Sequence, residues 1–106
     1  MITIKIHKNK EQYSRFISEG HAGYASEGYD IICAAVSVLT VNAINSIEQF
    51  TKDPIAVRQE EGLIELVLKG NVSKETTLLL DSMILGLREI QKQYGNEYIK
   101  LIFKEV

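Results

Sequence analysis

The sequence predicts an α+β fold in which two helices pack on one face of a mostly antiparallel or mixed sheet. Five short segments carry alternating or β-branched apolar residues, and two longer segments carry apolar residues at three- and four-residue steps. These segments follow one another in the order β-β-α-β-β-α-β, which is typical of a two-layer sandwich. The length of 106 residues suits one domain, which we expect to span 1–106.

The N-terminal part is predicted to form two strands and a loop. Isoleucine alternates with polar residues over 2–7, the pattern of a half-buried strand. A second and less regular strand is expected at 13–19. Three glycines fall within 20–29, so we expect these residues to form a loop.

The longest helical pattern opens at Asp30, which suits an N-cap, and is expected to end near residue 52, before Pro54. Apolar residues cover more than one side of its first turns. We therefore expect this helix to be buried on two sides, by the sheet and by either the second helix or a partner subunit. The periodic apolar positions are Ile32, Val36, Leu39, Ala43, Ile47 and Phe50.

The remaining elements are a hairpin, a helix and a strand. Segments 55–59 and 63–69 are predicted to pair as a hairpin through a glycine-containing turn. Ser73 is the expected N-cap of the second helix, and Gly95 marks its end. A last strand is predicted at 99–103, where apolar residues alternate with lysine.

The charge composition of the chain bears on whether it binds nucleic acids. The formal net charge of −2 argues against general nucleic-acid binding, although it does not exclude a local basic patch. We therefore expect no direct nucleic-acid partner.

The single cysteine cannot form an internal disulfide, which favours the reducing cytoplasm. The first residues have no apolar core of a signal peptide, and no run is expected to approach the ~18 apolar residues of a membrane helix. We expect a cytoplasmic protein without a membrane contact.

Cys33 and His21 are the candidate catalytic residues. With Asp30 as N-cap, Cys33 falls in the first helical turn, where free N–H groups and the helix dipole favour a thiolate. His21, on the preceding loop, can take and return a proton near neutral pH. The N–H groups of 32–34 are expected to hold an oxyanion. Together these features predict a cysteine hydrolase.

Each candidate has an alternative interpretation. Cys33 also suits a small core position, because its neighbours are apolar. Asp30 either caps the helix only or also orients His21. Ser37, four residues after Cys33, either contacts the loop or substrate, or donates to the Cys33 carbonyl.

The loop glycines and the metal question also leave alternatives. Gly20, Gly23 and Gly28 either permit turns with positive φ or act as hinges of a loop that admits substrate. The two histidines, Cys33 and Asp30 lack the spacing of a metal site, so we expect neither a metal nor a cofactor.

The segment GHAGYASEGYDIICAAVSVL, residues 20–39, resembles the signature of the ribosomal-processing cysteine protease family, often called Prp. That signature joins a GHA block, a glycine-containing loop and a G-x-D-[IV]-[IV]-C-A-[AG]-x-S block. The resemblance covers essentially the whole chain, and no reactive position departs from it. The matching residues are Gly20, His21, Ala22, Gly28, Asp30, Ile31, Ile32, Cys33, Ala34, Ala35 and Ser37.

The resemblance implies a small bacterial cytoplasmic cysteine protease that forms a homodimer. Its members remove a short N-terminal extension from the large-subunit ribosomal protein numbered twenty-seven. The family's nucleophile corresponds to Cys33 and its histidine to His21, with Asp30 and Ser37 in supporting positions. A flexible loop over the site corresponds to 22–29. The loop residues singled out are Gly20, Ala22, Gly23, Tyr24 and Gly28.

Two other functions remain open from the residues alone. The chain would be a non-catalytic binding module for a ribosomal protein or for ribosome assembly if Cys33 only fills the core. A redox-sensing thiol is the weaker alternative, because no second cysteine is present to resolve it.

Overall fold

The helices and strands follow one another in the predicted order. The computed structural model describes residues 1–20 and 27–106, and all of their side chains except those of 27–30. The elements are β1 (Ile2–Asn9), β2 (Gln12–Glu19), α1 (Glu27–Phe50), β3 (Ile55–Glu60), β4 (Leu63–Leu68), α2 (Lys74–Tyr94) and β5 (Ile99–Glu105). The predicted order is confirmed, including the less regular second strand.

The strands form one mixed sheet in the order β3-β4-β2-β1-β5. Strand β5 lies parallel to β1, and every other neighbouring pair is antiparallel. Strand β5 reaches its place beside β1 because α2 connects it to β4 at the other side of the sheet. A long connection of this kind is needed between strands that run in the same direction. The edges of the sheet are β3 and β5.

The core lies between one face of the sheet and the inner sides of both helices. Strand β1 contributes every second residue to this face, as its alternating sequence predicts. Both helices contribute residues at three- and four-residue steps, which places them on one side of each helix. The buried residues include Ile2, Ile4, Ile6, Phe16, Ile32, Val36, Ile47, Leu66, Leu80, Met83, Leu87 and Ile99.

Helix α1 begins at Glu27, three residues before its predicted start. The prediction that Asp30 is the N-cap is therefore wrong, because Asp30 is the fourth helical residue. Acidic residues are favoured throughout a first helical turn, so an aspartate inside that turn resembles a cap in sequence. The predicted loop 22–29 accordingly ends earlier, since Gly28 has a helical backbone.

One described helix segment, Ile31–Phe50 of α1, is long and apolar enough to cross a membrane by length and composition. Polar residues such as Thr40 and Asn42 interrupt it. A 33% share of the segment is buried within the fold, and this buried side includes core residues that pack against the sheet. By length and composition, this segment contradicts the expectation that no run approaches a membrane helix.

The N-terminus of α2 is joined to the segment that precedes β3. Ser73 is the N-cap, as predicted, and its hydroxyl accepts the N–H of Thr76. The carboxylate of Asp53 accepts the Ser73 N–H at 2.9 Å and the Ser73 hydroxyl at 2.8 Å. Burial acts to raise the pKa of Asp53, but hydrogen bonds with Thr76 and Ser73 outweigh it and lower this pKa from 3.8.

We expect Asp53→Asn to destabilise the fold by about 1 kcal/mol at pH 7, because a charge-assisted cap contact is lost. The folded pKa lies below the unfolded one, so ionised Asp53 stabilises the protein above the unfolded pKa. This contribution disappears as pH falls through the folded value. Urea unfolding from pH 7 to 3 should show a steeper acid loss for wild type than for Asp53→Asn. Glu89→Gln, at an exposed position of α2, is the control; parallel curves for wild type and Asp53→Asn would contradict the prediction.

Candidate active site

A cavity of about 200 Å³ lies between α1 and the β3–β4 hairpin. Helix α1 contributes Cys33 and Ser37 to its wall, and the hairpin contributes Gln59 and Glu60. Gly20, at the end of β2, lies at the same cavity. The fold therefore brings together three segments that are distant in sequence, and the candidate nucleophile is among them.

Cys33 lies at the boundary between the core and this cavity. Its side chain is partly buried and packs against the hydrophobic core, yet it also lines the cavity wall. Both interpretations of this residue therefore retain support: it contributes to packing, and its thiol has access to a space outside the core.

The early start of α1 changes the electrostatic argument for the thiol. Cys33 is the seventh residue of the helix, so the prediction that it lies in the first turn is wrong. N–H groups at this depth donate to carbonyls four residues earlier, which leaves those of 32–34 unable to hold an oxyanion. The dipole effect is confined to the first turn. Any activation of the thiol must therefore come from groups other than the helix terminus.

Ser37 is one turn beyond Cys33 and lines the same cavity, with its side chain exposed. The back-bond that the structure shows in this part of α1 belongs to Thr40. Its hydroxyl donates to the Val36 carbonyl at 2.9 Å. The position of Ser37 suits contact with a ligand in the cavity, and that role stays a prediction.

Gly20 has a φ of +136°, so the prediction of a positive φ is confirmed here. A Cβ atom at Gly20 would lie 2.3 Å from the Met1 carbonyl oxygen and 2.9 Å from the Ile2 Cα. Its N–H donates to the Gly62 carbonyl at 2.9 Å, across to the hairpin turn. Gly20 is thus held by backbone on two sides, which fixes where the chain leaves β2.

Several predicted site residues lie outside the described part of the chain. These are His21, Ala22, Gly23 and Tyr24, and the side chain of Asp30 belongs with them. The roles of His21 and Asp30 therefore stay predictions.

The other histidine, His7, is not part of the cavity. It lies on β1, on the sheet face opposite the helices, with a half-buried side chain and a buried Nε2 that has no hydrogen-bond partner among the described residues. Burial, then Arg15, Lys104 and Lys5, lower its pKa. The alternation of β1 places His7 on this sheet face, but its side chain is only partly exposed there. Within 1–20 and 27–106, no three His, Cys, Asp or Glu side chains gather as metal ligands.

The hairpin residues at the cavity were not found by sequence reasoning. Gln59, Glu60 and Leu63 follow no motif, and they reach Cys33 only because β4 pairs with β2. Their one local signal is the turn at Gly62, which predicts a hairpin without indicating what it faces.

Comparison with known proteins identifies a family that this chain matches. A family model described as cysteine protease Prp matches residues 1–100. The ribosomal processing cysteine protease Prp of Staphylococcus aureus (strain Mu50 / ATCC 700699) is 30% identical over 107 residues, covering 98% of this chain and 100% of that protein.

Solved structures of the essential ribosomal processing protease Prp from S. aureus have the same fold. One holds a covalently linked product peptide and superposes with a TM-score of 0.87 at 30% identity. Another holds a substrate peptide and superposes with a TM-score of 0.89 at 29% identity. Each comparison covers 98% of this chain and 100% of the other.

Proposed function

The chain belongs to the Prp family of cysteine proteases, and we propose that it removes the N-terminal extension of the bacterial large-subunit ribosomal protein numbered twenty-seven. One observation carries the proposal: Cys33 and Ser37 line a cavity that also contains Gly20, the residue immediately before His21. At this cavity the thiol and the hydroxyl of α1 face the end of β2, and His21 follows that end directly in the sequence. No metal or cofactor is needed for the reaction.

The proposed mechanism is covalent catalysis by a thiolate. Cys33 Sγ attacks the scissile carbonyl, and the C–N bond breaks as His21 gives a proton to the leaving amine. The resulting thioester is hydrolysed by water, from which His21 removes a proton. Asp30 orients His21 in this proposal, and Ser37 contacts the substrate. The S. aureus relative with a covalently linked product peptide supports an intermediate attached to the enzyme.

An extended peptide can reach Cys33 along the hairpin. Strand β3 is an edge of the sheet, and its exposed residues Gln59 and Glu60 lie at the cavity. Free backbone groups at a sheet edge pair with an extended peptide and leave alternate side chains for recognition. We therefore propose that the substrate extension adds to β3 and presents its scissile bond to Cys33.

The direct test uses the purified protein and the extended ribosomal protein of the same organism. Mass spectrometry of the products should show a single internal cut by wild type and no cut by Cys33→Ala. Such a result supports the protease proposal and gives the cleavage sequence. Binding without a cut by wild type would instead favour a non-catalytic module in which Cys33 is a core residue.

We also propose that the enzyme is a cytoplasmic homodimer that needs no membrane. The two helices leave an apolar surface on the side away from the sheet, here called the outer helix face. It consists of Ile31 and Val38 on α1 and Leu78 and Leu85 on α2, each between 61% and 68% exposed. Each pair is separated by seven residues, the spacing at which helices pack against other helices. A second copy presenting the same face would cover these side chains.

Leu85→Glu should dissociate this dimer, because a buried carboxylate without a partner opposes association. Light scattering after size exclusion should give about twice the chain mass of 12.0 kDa for wild type and the single chain mass for the variant. Val106→Glu alters an exposed apolar residue at the C-terminus and is the matched control. Equal masses for wild type and Leu85→Glu would exclude the outer helix face as the interface.

A further inference from the structure

The sheet face opposite the helices carries a cluster of cations. Because β1 turns its even-numbered isoleucines toward the helices, Lys5 and His7 point to the other face. In the strand register, His7 pairs with Arg15 of β2 and with Lys104 of β5. Lys100 occupies the same face at the beginning of β5, beside Thr3. We call Lys5, Arg15, Lys100 and Lys104 the basic face.

The basic face concentrates positive charge in a chain whose net charge is −2. It is the kind of local basic patch that the net charge does not exclude, and nucleic-acid binding here would reverse the expectation of no direct nucleic-acid partner. The basic face spans three neighbouring strands and five positions of β5, an area of about 13 by 10 Å. These dimensions are close to the Debye length of ~8–10 Å, so the charges act together on a ligand.

Acids also lie on this sheet surface: Glu65 pairs with Arg15 and Arg58, and Glu19 lies beside Thr3 at the end of β2. The three lysines of the basic face are therefore the main source of the positive charge, and Arg15 adds less because Glu65 already offsets it.

The pKa of His7 is sensitive to the electrostatic potential at the centre of the basic face. Burial lowers its pKa first, and Arg15, Lys104 and Lys5 lower it further. All three cations therefore act on one point of the sheet surface. An anion placed over these residues would offset their effect on the imidazole.

We propose that the basic face binds the phosphate backbone of double-stranded RNA. Lysine and arginine on a regular surface match a line of phosphates and give binding that is independent of base sequence. In the five strands, all of which are described, Phe, Tyr and Trp are absent from this face. Single-stranded RNA is usually held by stacking on such rings, so the face favours a duplex.

The choice of RNA rests on the proposed function, because a ribosomal protein is a component of a particle that contains helical RNA. The geometry is compatible with both events. The basic face lies on one side of the sheet, whereas Cys33 belongs to α1, which packs on the other side. A docked duplex therefore leaves the Cys33 cavity open to the substrate.

Fluorescence anisotropy with a labelled RNA duplex of about 20 base pairs tests the proposal. We expect wild type to bind at low salt, with log K falling against log salt at a slope of about −3. Lys100→Glu/Lys104→Glu, two exposed positions on the edge strand, should weaken binding at least tenfold. Lys74→Glu/Lys92→Glu makes the same charge change on α2 and should alter binding less than twofold. Equal weakening by both pairs, or no binding by wild type, would overturn the proposal.

Three further measurements separate the outcomes. In an NMR titration, the His7 pKa should rise when the duplex saturates wild type and stay constant in Lys100→Glu/Lys104→Glu. Tighter binding of poly-glutamate than of RNA at the same face would overturn the proposal in favour of an acidic protein.

Cleavage of the isolated ribosomal protein should be equal in wild type and Lys100→Glu/Lys104→Glu. If wild type binds RNA here but does not cut that protein, the proposed substrate fails and the RNA surface stands.

Discussion

Cys33→Ala should lower the rate of peptide cleavage at least ~10⁴-fold, because the nucleophile of a covalent mechanism cannot be replaced by a methyl group. The fold should survive, since Cys33 is only partly buried and lines a cavity. Loss of one sulfur at such a site is expected to cost less than about 1.5 kcal/mol of unfolding free energy. The two measurements are single-turnover cleavage of the extended ribosomal protein and urea unfolding.

Cys33→Ser keeps the shape of the side chain and separates chemistry from packing. A hydroxyl at this position should support little cleavage, because it ionises far less readily than a thiol. Wild-type stability with no activity in both variants would agree with catalysis. Cleavage by Cys33→Ala at more than a tenth of the wild-type rate would exclude Cys33 as the nucleophile and return it to a core role.

Gly20→Ala should have the second large effect, on stability and on catalysis together. The new Cβ would lie 2.3 Å from the Met1 carbonyl oxygen, and the residue would keep a φ of +136°. Backbone atoms cannot move aside as a flexible side chain does, so β1 or the end of β2 must shift. We expect a loss of about 2–4 kcal/mol in unfolding free energy. Because Gly20 directly precedes His21, we also expect kcat/KM to fall at least tenfold.

Gly95→Ala is the matched control for backbone strain. Gly95 also has a positive φ, +94°, but a Cβ there would meet nothing within 4 Å. It ends α2, and its N–H donates to the Gln91 carbonyl. This variant should therefore show only the strain of its backbone angles, about 1–3 kcal/mol, with unchanged kcat/KM. If Gly20→Ala matched Gly95→Ala in both measurements, the close approach at Gly20 would have no role in the site.

Most of the fold could be predicted from local patterns. Alternation at 2–7 and the apolar stripe of the second helix each indicate one structure, because burial on a single face imposes one period. The start of α1 could not be predicted in this way. Glu27 and Asp30 both suit a first turn, and local preferences do not decide which residue begins the helix.

One part of the candidate site could be predicted from the sequence, and the other part could not. Cys33 and Ser37 share a cavity wall because they are four residues apart on a helix, a spacing that can be read directly. Gln59 and Glu60 reach the same cavity only through the pairing of distant strands. Gly20 was recognisable as a glycine that permits a turn, but its contact with Met1 depends on how β1 and β2 end together.

By itself the sequence determined the order of the elements, the two-layer architecture and the signature that contains Cys33, because these depend on periodicity and spacing along the chain. Only the tertiary structure decided which segments face the thiol and how the charges are distributed. Lys5, Arg15 and Lys104 are scattered in a chain of net negative charge, and strand register gathers them on one surface. Register is set by contacts between distant segments, so composition cannot reveal it.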